Sequence, residues 1–342
     1  MCVAGVGVGV VSAVGRAGSS AGWIAFENVQ GASHAIYLGG ANGRGLRRLA
    51  TGVGEAGAPR WSPDGRSIAF LRNMGQGRAV AVVGLAGGGV RTITHGLDAV
   101  RKPVWSPDGK WIAFTGERGG RSGVFVVNSA GGASRDLTPG AVDDDFPSWS
   151  ADGDTIAFSS RSSSGVTRVY LVGRTGSRLR RLPGSLPGDQ VPAWSPAGNQ
   201  LAFLHQQGSS FELVVADGAS GRRRYLTHGG NSGGQAWSPN GHQLAYLSTK
   251  GANPGLAQLG DLALWITTPD GRQQRLLTDD ADAFTIPSWA PDSTRLTFGR
   301  ETALGTTEIY TININHGQPT RITTLAGSNV SPNWQPATRP HR

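Results

Sequence analysis

Carboxylates dominate the residues whose spacing could do chemistry. The runs Asp143-Asp144-Asp145-Phe146 and Asp279-Asp280-Ala281-Asp282-Ala283-Phe284 crowd acids together. Like charges at that distance raise one another's free energy unless a cation or a basic ligand answers them; solvation in loops is the alternative reading of the same runs. Asp98, Asp189 and Glu55 stand in comparable stretches, with Arg101, Lys102, Asn231 and Asn329 among them. Asp143, Asp144, Asp145, Asp279, Asp280, Asp282, Asp98, Asp189, Glu55 and Arg101 are the candidate residues for binding a ligand or partner.

Other matches to catalytic patterns carry little. Gly18-Ser19-Ser20-Ala21-Gly22 satisfies G-x-S-x-G but introduces no α/β-hydrolase pattern. Gly52 to Gly57 satisfies G-x-G-x-x-G, yet it joins two strand-like segments and opens no helix. His34, His95, His205, His228, His242 and His316 are scattered without metal-ligand spacing on one element. The lone Cys2 excludes an intramolecular disulfide and a cysteine-rich zinc site. No catalytic residue, metal ligand or cofactor is expected, although a site converging from several elements stays open.

The elements that must position the acids follow from a repeat aligned on tryptophan. Trp61-Ser-Pro-Asp-Gly, Trp105-Ser-Pro-Asp-Gly, Trp149-Ser-Ala-Asp-Gly, Trp194-Ser-Pro-Ala-Gly, Trp237-Ser-Pro-Asn-Gly and Trp289-Ala-Pro-Asp-Ser recur, and Trp334-Gln-Pro is a truncated seventh copy. Successive tryptophans lie 44, 44, 45, 43, 52 and 45 residues apart, and a period of that length holds one four-stranded blade of a β-propeller. The Pro-Asp-Gly portion suits a tight hairpin: proline presets φ, aspartate bonds locally and glycine accepts positive φ. That turn role accounts for Asp64, Asp108, Asp152 and Asp292 without a catalytic ring, since Ala197 and Asn240 replace the acid in two copies.

Each first strand ends at the tryptophan. Pro59, Pro103, Pro147, Pro192, Pro287 and Pro332 stand two residues before it and are expected at the strand's beginning. Second strands read Ile68-Ala69-Phe70, Ile112-Ala113-Phe114, Ile156-Ala157-Phe158, Leu201-Ala202-Phe203, Leu244-Ala245-Tyr246 and Leu296-Thr297-Phe298, where the small central residue leaves room for the adjoining blade. Fourth strands carry arginines such as Arg47, Arg48, Arg180, Arg181, Arg222 to Arg224 and Arg321. Charge on outer edges discourages pairing with other chains; a basic girdle for an anionic polymer is the alternative. Because Trp23-Ile24-Ala25-Phe26 is a second strand lacking a first, and Pro332-Asn333-Trp334 is a first strand lacking a second, the two ends are expected to complete one blade. The expectation is an all-β, single propeller of about seven four-stranded blades over residues 22–336, closed by its terminal strands, with a signal-like or disordered leader at 1–21 and a tail at 337–342.

The W-S-P-D-G-x-x-I-A-F unit, with a terminal R-x-L-T, resembles the TolB-like, WD-repeat-like β-propeller repeat, and related repeats occur in prolyl oligopeptidase-type propeller domains. The resemblance spans residues 22 to 336. It implies a non-catalytic scaffold that binds a peptide, protein or envelope component on the loop face around the central channel; it also admits a propeller enzyme of polysaccharide lyase or hydrolase type, or a peptidase's substrate-filtering propeller. The family's namesake has six blades beside a second domain, so the count of seven departs from it.

Composition agrees with many tight connections: 53 Gly, 19 Pro and 10 Trp accompany 38% hydrophobic residues. The formal charge of +9 is mostly arginine, but no aromatic ladder or nucleic-acid motif accompanies it. The uncharged run from Cys2 to Gly15 resembles a secretory leader without its basic start, and is too short for a membrane span. A peptide or protein partner, no nucleic acid, no membrane span and a monomer are expected. The setting is periplasmic or secreted, with a cytoplasmic one as the alternative. The connections around the channel mouth, with the longer Ser248 to Asp261 loop, form the expected binding face.

Overall fold

A computed structural model of the chain describes residues 22–53, 57–75, 77–85, 89–251, 261–282 and 285–337. Glu55, Phe284, the leader, most of the long 248–261 loop and the end of the tail lie outside the described residues. Every regular element among the described residues is a strand, and no helix there is long and apolar enough to cross a membrane.

The chain begins with β1 (Trp23–Gln30), β2 (Ser33–Gly40) and β3 (Arg47–Val53). Repeating quartets follow. The first is β4 (Gly57–Trp61), β5 (Ser67–Asn73), β6 (Arg78–Gly84) and β7 (Arg91–Thr92). The second is β8 (Ala99–Trp105), β9 (Trp111–Arg118), β10 (Arg121–Asn128) and β11 (Arg135–Asp136). Then come β12 (Asp143–Trp149), β13 (Thr155–Arg161), β14 (Thr167–Gly173) and β15 (Arg180–Arg181). The next holds β16 (Asp189–Trp194), β17 (Gln200–Gln207), β18 (Ser210–Asp217) and β19 (Arg223–Tyr225). It is followed by β20 (Ser232–Trp237), β21 (Leu244–Ser248), β22 (Asp261–Thr267) and β23 (Gln274–Asp282). The last quartet is β24 (Ser288–Trp289), β25 (Arg295–Glu301), β26 (Thr307–Asn313) and β27 (Thr320–Arg321), after which β28 (Ser328–Trp334) ends the fold.

Five of the resulting sheets have four strands each: β28-β1-β2-β3, β4 to β7, β16 to β19, β20 to β23 and β24 to β27. The expectation that every blade would stand as a separate four-stranded sheet is corrected at one place. Strands β8 to β15 form one eight-stranded sheet, because β10 and β12 make a parallel bridge at Ser122 and Asp143. The terminal strands share a sheet: β28 runs antiparallel to β1 with Ile24 opposite Trp334 and Ala25 opposite Asn333, and the Gln335 amide donates to the Trp23 carbonyl at 2.8 Å.

Packing explains the period-two pattern of the second strands. Ala25 packs against Ile68 and Phe70, Ala69 against Ile112 and Phe114, and Ala113 against Ile156 and Phe158. Ala157 then meets Leu201 and Phe203, Ala202 meets Leu244 and Tyr246, and Ala245 meets Leu296 and Phe298. Ile24 and Phe26 in turn lie against Ile309 and Ile322. The small residue therefore receives its neighbour's bulky pair, and each core lies between blades. First strands touch in the cyclic order β28, β4, β8, β12, β16, β20, β24, β28, so they form the innermost layer.

A polar staple accompanies these cores. The Trp105 indole N–H donates to the Arg60 carbonyl at 3.0 Å, Trp149 to Val104 at 3.2 Å, Trp237 to Ala193 at 2.9 Å and Trp289 to Ala236 at 2.9 Å. Each acceptor immediately precedes the tryptophan of the preceding repeat. Trp61 follows the same rule across the chain ends, donating to Asn333 at 2.9 Å.

Candidate functional site

The innermost strands do not run straight, and their bend positions the candidate residues. Ala58, Lys102, Phe146, Val191 and Ser331, each just before a repeat proline, have φ between 49° and 59°. Gly234 occupies the same place with φ 61°. Left-handed backbone costs a non-glycine residue about 1–2 kcal/mol, and register shifts mark the bulges at Arg101/Val104, Asp145/Ser148 and Gln190/Ala193. A bulge spares proline its missing ladder donor. Hence Pro59, Pro103, Pro147, Pro192 and Pro332 sit inside their strands instead of at the beginning, with the strand resuming on the N-terminal side of the bulge, whereas Pro287 immediately precedes β24.

That extension changes where the acids lie. Asp143, Asp144 and Asp145 belong to β12, opposite Arg161, Ser160 and Ser159, while Asp279, Asp280 and Asp282 belong to β23 and Asp189 opens β16. They are strand residues, not loop residues: in β12 and β16 pairing continues past the proline bulge, and β23 stays paired with β22 as far as Asp282.

Most of these carboxylates already have partners within the chain. Asp145 accepts from Lys102 Nζ at 2.8 Å, from Thr115 Oγ1 at 2.7 Å and from the Phe146 amide at 2.8 Å. Arg101 stands 3.8 Å from the same carboxylate and donates to Ser122 Oγ at 2.8 Å. Burial holds the Lys102 ammonium below its ordinary pKa despite the neighbouring Asp145, and its Nζ lies over the Phe146 ring. Arg101, Lys102, Asp145 and Phe146 are thus brought together at the inner rim.

Asp144 lies beside them but faces inward. It is 2% exposed, and its Oδ1 is buried without a hydrogen-bond partner. Burial pushes its carboxyl up to about 6, against the lowering effect of the Ser160 and Thr138 hydroxyls.

Asp189 is fully buried and is held by a constellation that inspection of acidic runs does not find. Arg223 clasps both of its oxygens at 3.0 and 3.2 Å. His205 Nδ1 lies 2.8 Å away, and the Leu186 amide donates at 2.7 Å. The Arg223 guanidinium also lies over Phe203 and Tyr225. Arg223 therefore corrects the view of fourth-strand arginines as edge charges: this one turns inward because a buried carboxylate demands a bidentate cation. The register Asp189 opposite His205 would have joined two of the three partners had the bulge been legible.

The remaining candidates are dispersed. Asp280 pairs with Arg300 and accepts from Thr278 Oγ1 at 2.6 Å, whereas Asp282 accepts from Thr307 Oγ1 at 2.7 Å and Thr285 Oγ1 at 3.3 Å. Asp279 is exposed on β23. Asp98 caps the β9–β10 hairpin by accepting from the Gly119 amide at 2.7 Å. Among the described residues no group of three or more His, Cys, Asp or Glu is arranged to hold a metal ion.

The turn acids behave as their sequence context implies. Asp152 accepts from Ser150 Oγ at 2.5 Å and from the Asp154 amide at 2.9 Å. The Ser150 hydroxyl is the main reason its carboxyl lies below the usual range. Asn240 makes the same two contacts in its own copy.

Repeated hairpins, interleaved cores and indole staples define a β-propeller with an inner rim of strained, half-buried residues. The TolB beta propeller domain model matches residues 12–161 and 103–260, and the chain belongs to that family. No curated protein matches it. Among solved structures, TolB from Acinetobacter baumannii is 20% identical over 92% of this chain and 67% of its own, with a TM-score of 0.59. The oligogalacturonate lyase of Vibrio parahaemolyticus is 13% identical over 89% of this chain and 85% of its own, with a TM-score of 0.61. A puromycin-hydrolyzing peptidase of Mycobacterium tuberculosis is 14% identical over 87% of this chain and 53% of its own, with a TM-score of 0.63. At these identities the likeness is one of fold. Because two of the three bear different activities in their names and TolB bears none, the fold alone assigns no activity here.

Proposed function

We propose that the protein is a non-catalytic binding propeller of seven blades, closed by β28 on β1, which takes a peptide or protein segment at the inner rim of its channel. The seven-blade reading counts the eight-stranded sheet as two blades, one per tryptophan, joined at a single bridged residue pair. A periplasmic or secreted setting goes with the uncharged run from Cys2 to Gly15.

One observation carries the binding reading. The position before the repeat proline is held by the same positive-φ bulge in six copies, yet its residues differ: Ala58, Lys102, Phe146, Val191 and Ser331, with Gly234 where proline is replaced; Ile286, the equivalent residue before Pro287, precedes β24 without that bulge. All are half-buried or exposed, and Ile286 is 51% exposed. A rigid frame that repeats while its presented chemistry changes is how a scaffold displays specificity. The acids spent on internal ion pairs contribute to the rim's shape more than to free charge.

The test is selection of a displayed peptide library on the full chain, followed by fluorescence anisotropy with the selected peptides. Phe146→Ser and Ile286→Ser are expected to weaken binding about tenfold or more, as for anchoring interface residues, with unchanged thermal unfolding. Failure to select any peptide, or selected peptides indifferent to both substitutions, refutes the proposal.

A further inference from the structure

The opposite end of the propeller carries a feature that the channel rim does not explain. Alternating strand directions put the Trp-Ser-Pro-Asp-Gly hairpins and the turns between third and fourth strands at that end. Four copies place a carboxylate in the hairpin: Asp64, Asp108, Asp152 and Asp292. Among the six complete copies, the two lacking it, with Ala197 and Asn240, are consecutive. Their hairpins meet, since a Cβ built on Gly241 would come within 2.3 Å of the Ala197 Cβ.

A cleft of about 560 Å³ opens beside this contact, lined among others by Gln200, Arg224, His242, Pro269, Arg272 and Gln273. Arg224 Nη1 donates to the Asp270 carbonyl at 3.2 Å, and Arg272 Nε stands 3.5 Å from the Asp270 carboxylate. That carboxylate also accepts from Thr268 Oγ1 and the Arg272 amide. One acid therefore faces two guanidiniums. Asp217, opposite Gln200 in β18, spends its carboxylate on its own turn, accepting from the Ser220 amide and hydroxyl at 2.7 and 2.8 Å. Arg222 adds a further exposed cation nearby in sequence.

We propose that this cleft is an anion-binding site, distinct from the channel rim, that takes a carboxylate-rich peptide segment. Acid is withheld from the repeat at the two hairpins that border it, and cations occupy the neighbouring outer strand and turn. Such an arrangement raises the local positive potential without disturbing the turn, because Asn240 keeps both acceptor contacts that aspartate makes elsewhere. Gln200 and Gln273 supply carboxamides suited to a peptide backbone, and Pro269 supplies an apolar wall.

Fluorescein-labelled hexaglutamate is the probe, with hexaglutamine and inorganic tripolyphosphate as comparisons, measured by anisotropy on the full chain. Hexaglutamate is expected to bind, with an affinity that falls as salt rises. The double variant Arg224→Gln with Arg272→Gln is expected to weaken it about tenfold, and Asn240→Asp, which restores the repeat's own residue, about threefold. Asp64→Asn, in a hairpin away from the cleft, and Phe146→Ser at the rim are expected to leave it unchanged, so this site and the rim fail or succeed separately. Equal binding of hexaglutamine, preference for tripolyphosphate over hexaglutamate, or retention within twofold by the double variant with unchanged thermal unfolding overturns the proposal.

Discussion

Asp144 offers a perturbation whose size follows from its surroundings. Its carboxyl is raised by burial from 3.8 to about 6, so the folded protein holds the proton more tightly than the unfolded chain. Between those values stability falls as pH rises, and above about 6 the full cost of a buried charge is present. At about 1.4 kcal/mol per pH unit, a shift of this size corresponds to about 3 kcal/mol. Asp144→Asn removes the titration and leaves a polar side chain opposite Ser160. Packing differences between the two side chains are independent of pH, so the informative quantity is the change in relative stability across the window. Urea unfolding followed by tryptophan fluorescence, from pH 3.5 to pH 8, is expected to show the variant gaining about 3 kcal/mol relative to the native protein between the acid and neutral ends. A relative stability that stays flat within about 0.5 kcal/mol across this range, or that moves the other way, refutes the account of Asp144 as a carboxyl destabilised by burial.

Two further outcomes test the packing. Trp149 and Trp194 are equivalent and similarly buried, but only the Trp149 indole N–H has a carbonyl partner; unfolding of Trp149→Phe is therefore expected to cost about 1 kcal/mol more than that of Trp194→Phe. Arg223→Met leaves Asp189 buried without its guanidinium and is expected to lose about 3–5 kcal/mol in the same assay, with partial recovery when Asp189→Asn is added.

The repeat is legible because its signals are local. A tryptophan, a proline two residues earlier and a Pro-Asp-Gly turn specify a hairpin within a dozen residues, and the Ile-Ala-Phe alternation marks which face accepts the adjoining blade. The site was less legible. Asp143 to Asp145 look like a loop run because a bulge with positive φ at Phe146 interrupts the strand pattern, and no residue preference advertises φ 59° at phenylalanine. Arg223 looks like one of several edge arginines; its inward turn depends on Asp189, 34 residues earlier. The bridge between β10 and β12 has no sequence mark either, since it arises where two neighbouring blades approach.

What the linear order of residues determined, then, is the kind and number of hairpins and the alternation that buries one face of each, since turn chemistry and side-chain period act over a few residues. Only the tertiary structure decided which acids are paired with cations, that Asp144 is buried with one oxygen unpartnered, and that Trp61 finds its acceptor at Asn333. Those outcomes depend on distances between blades, which a bulged strand and a circular arrangement set, and which neighbouring residues in sequence cannot express.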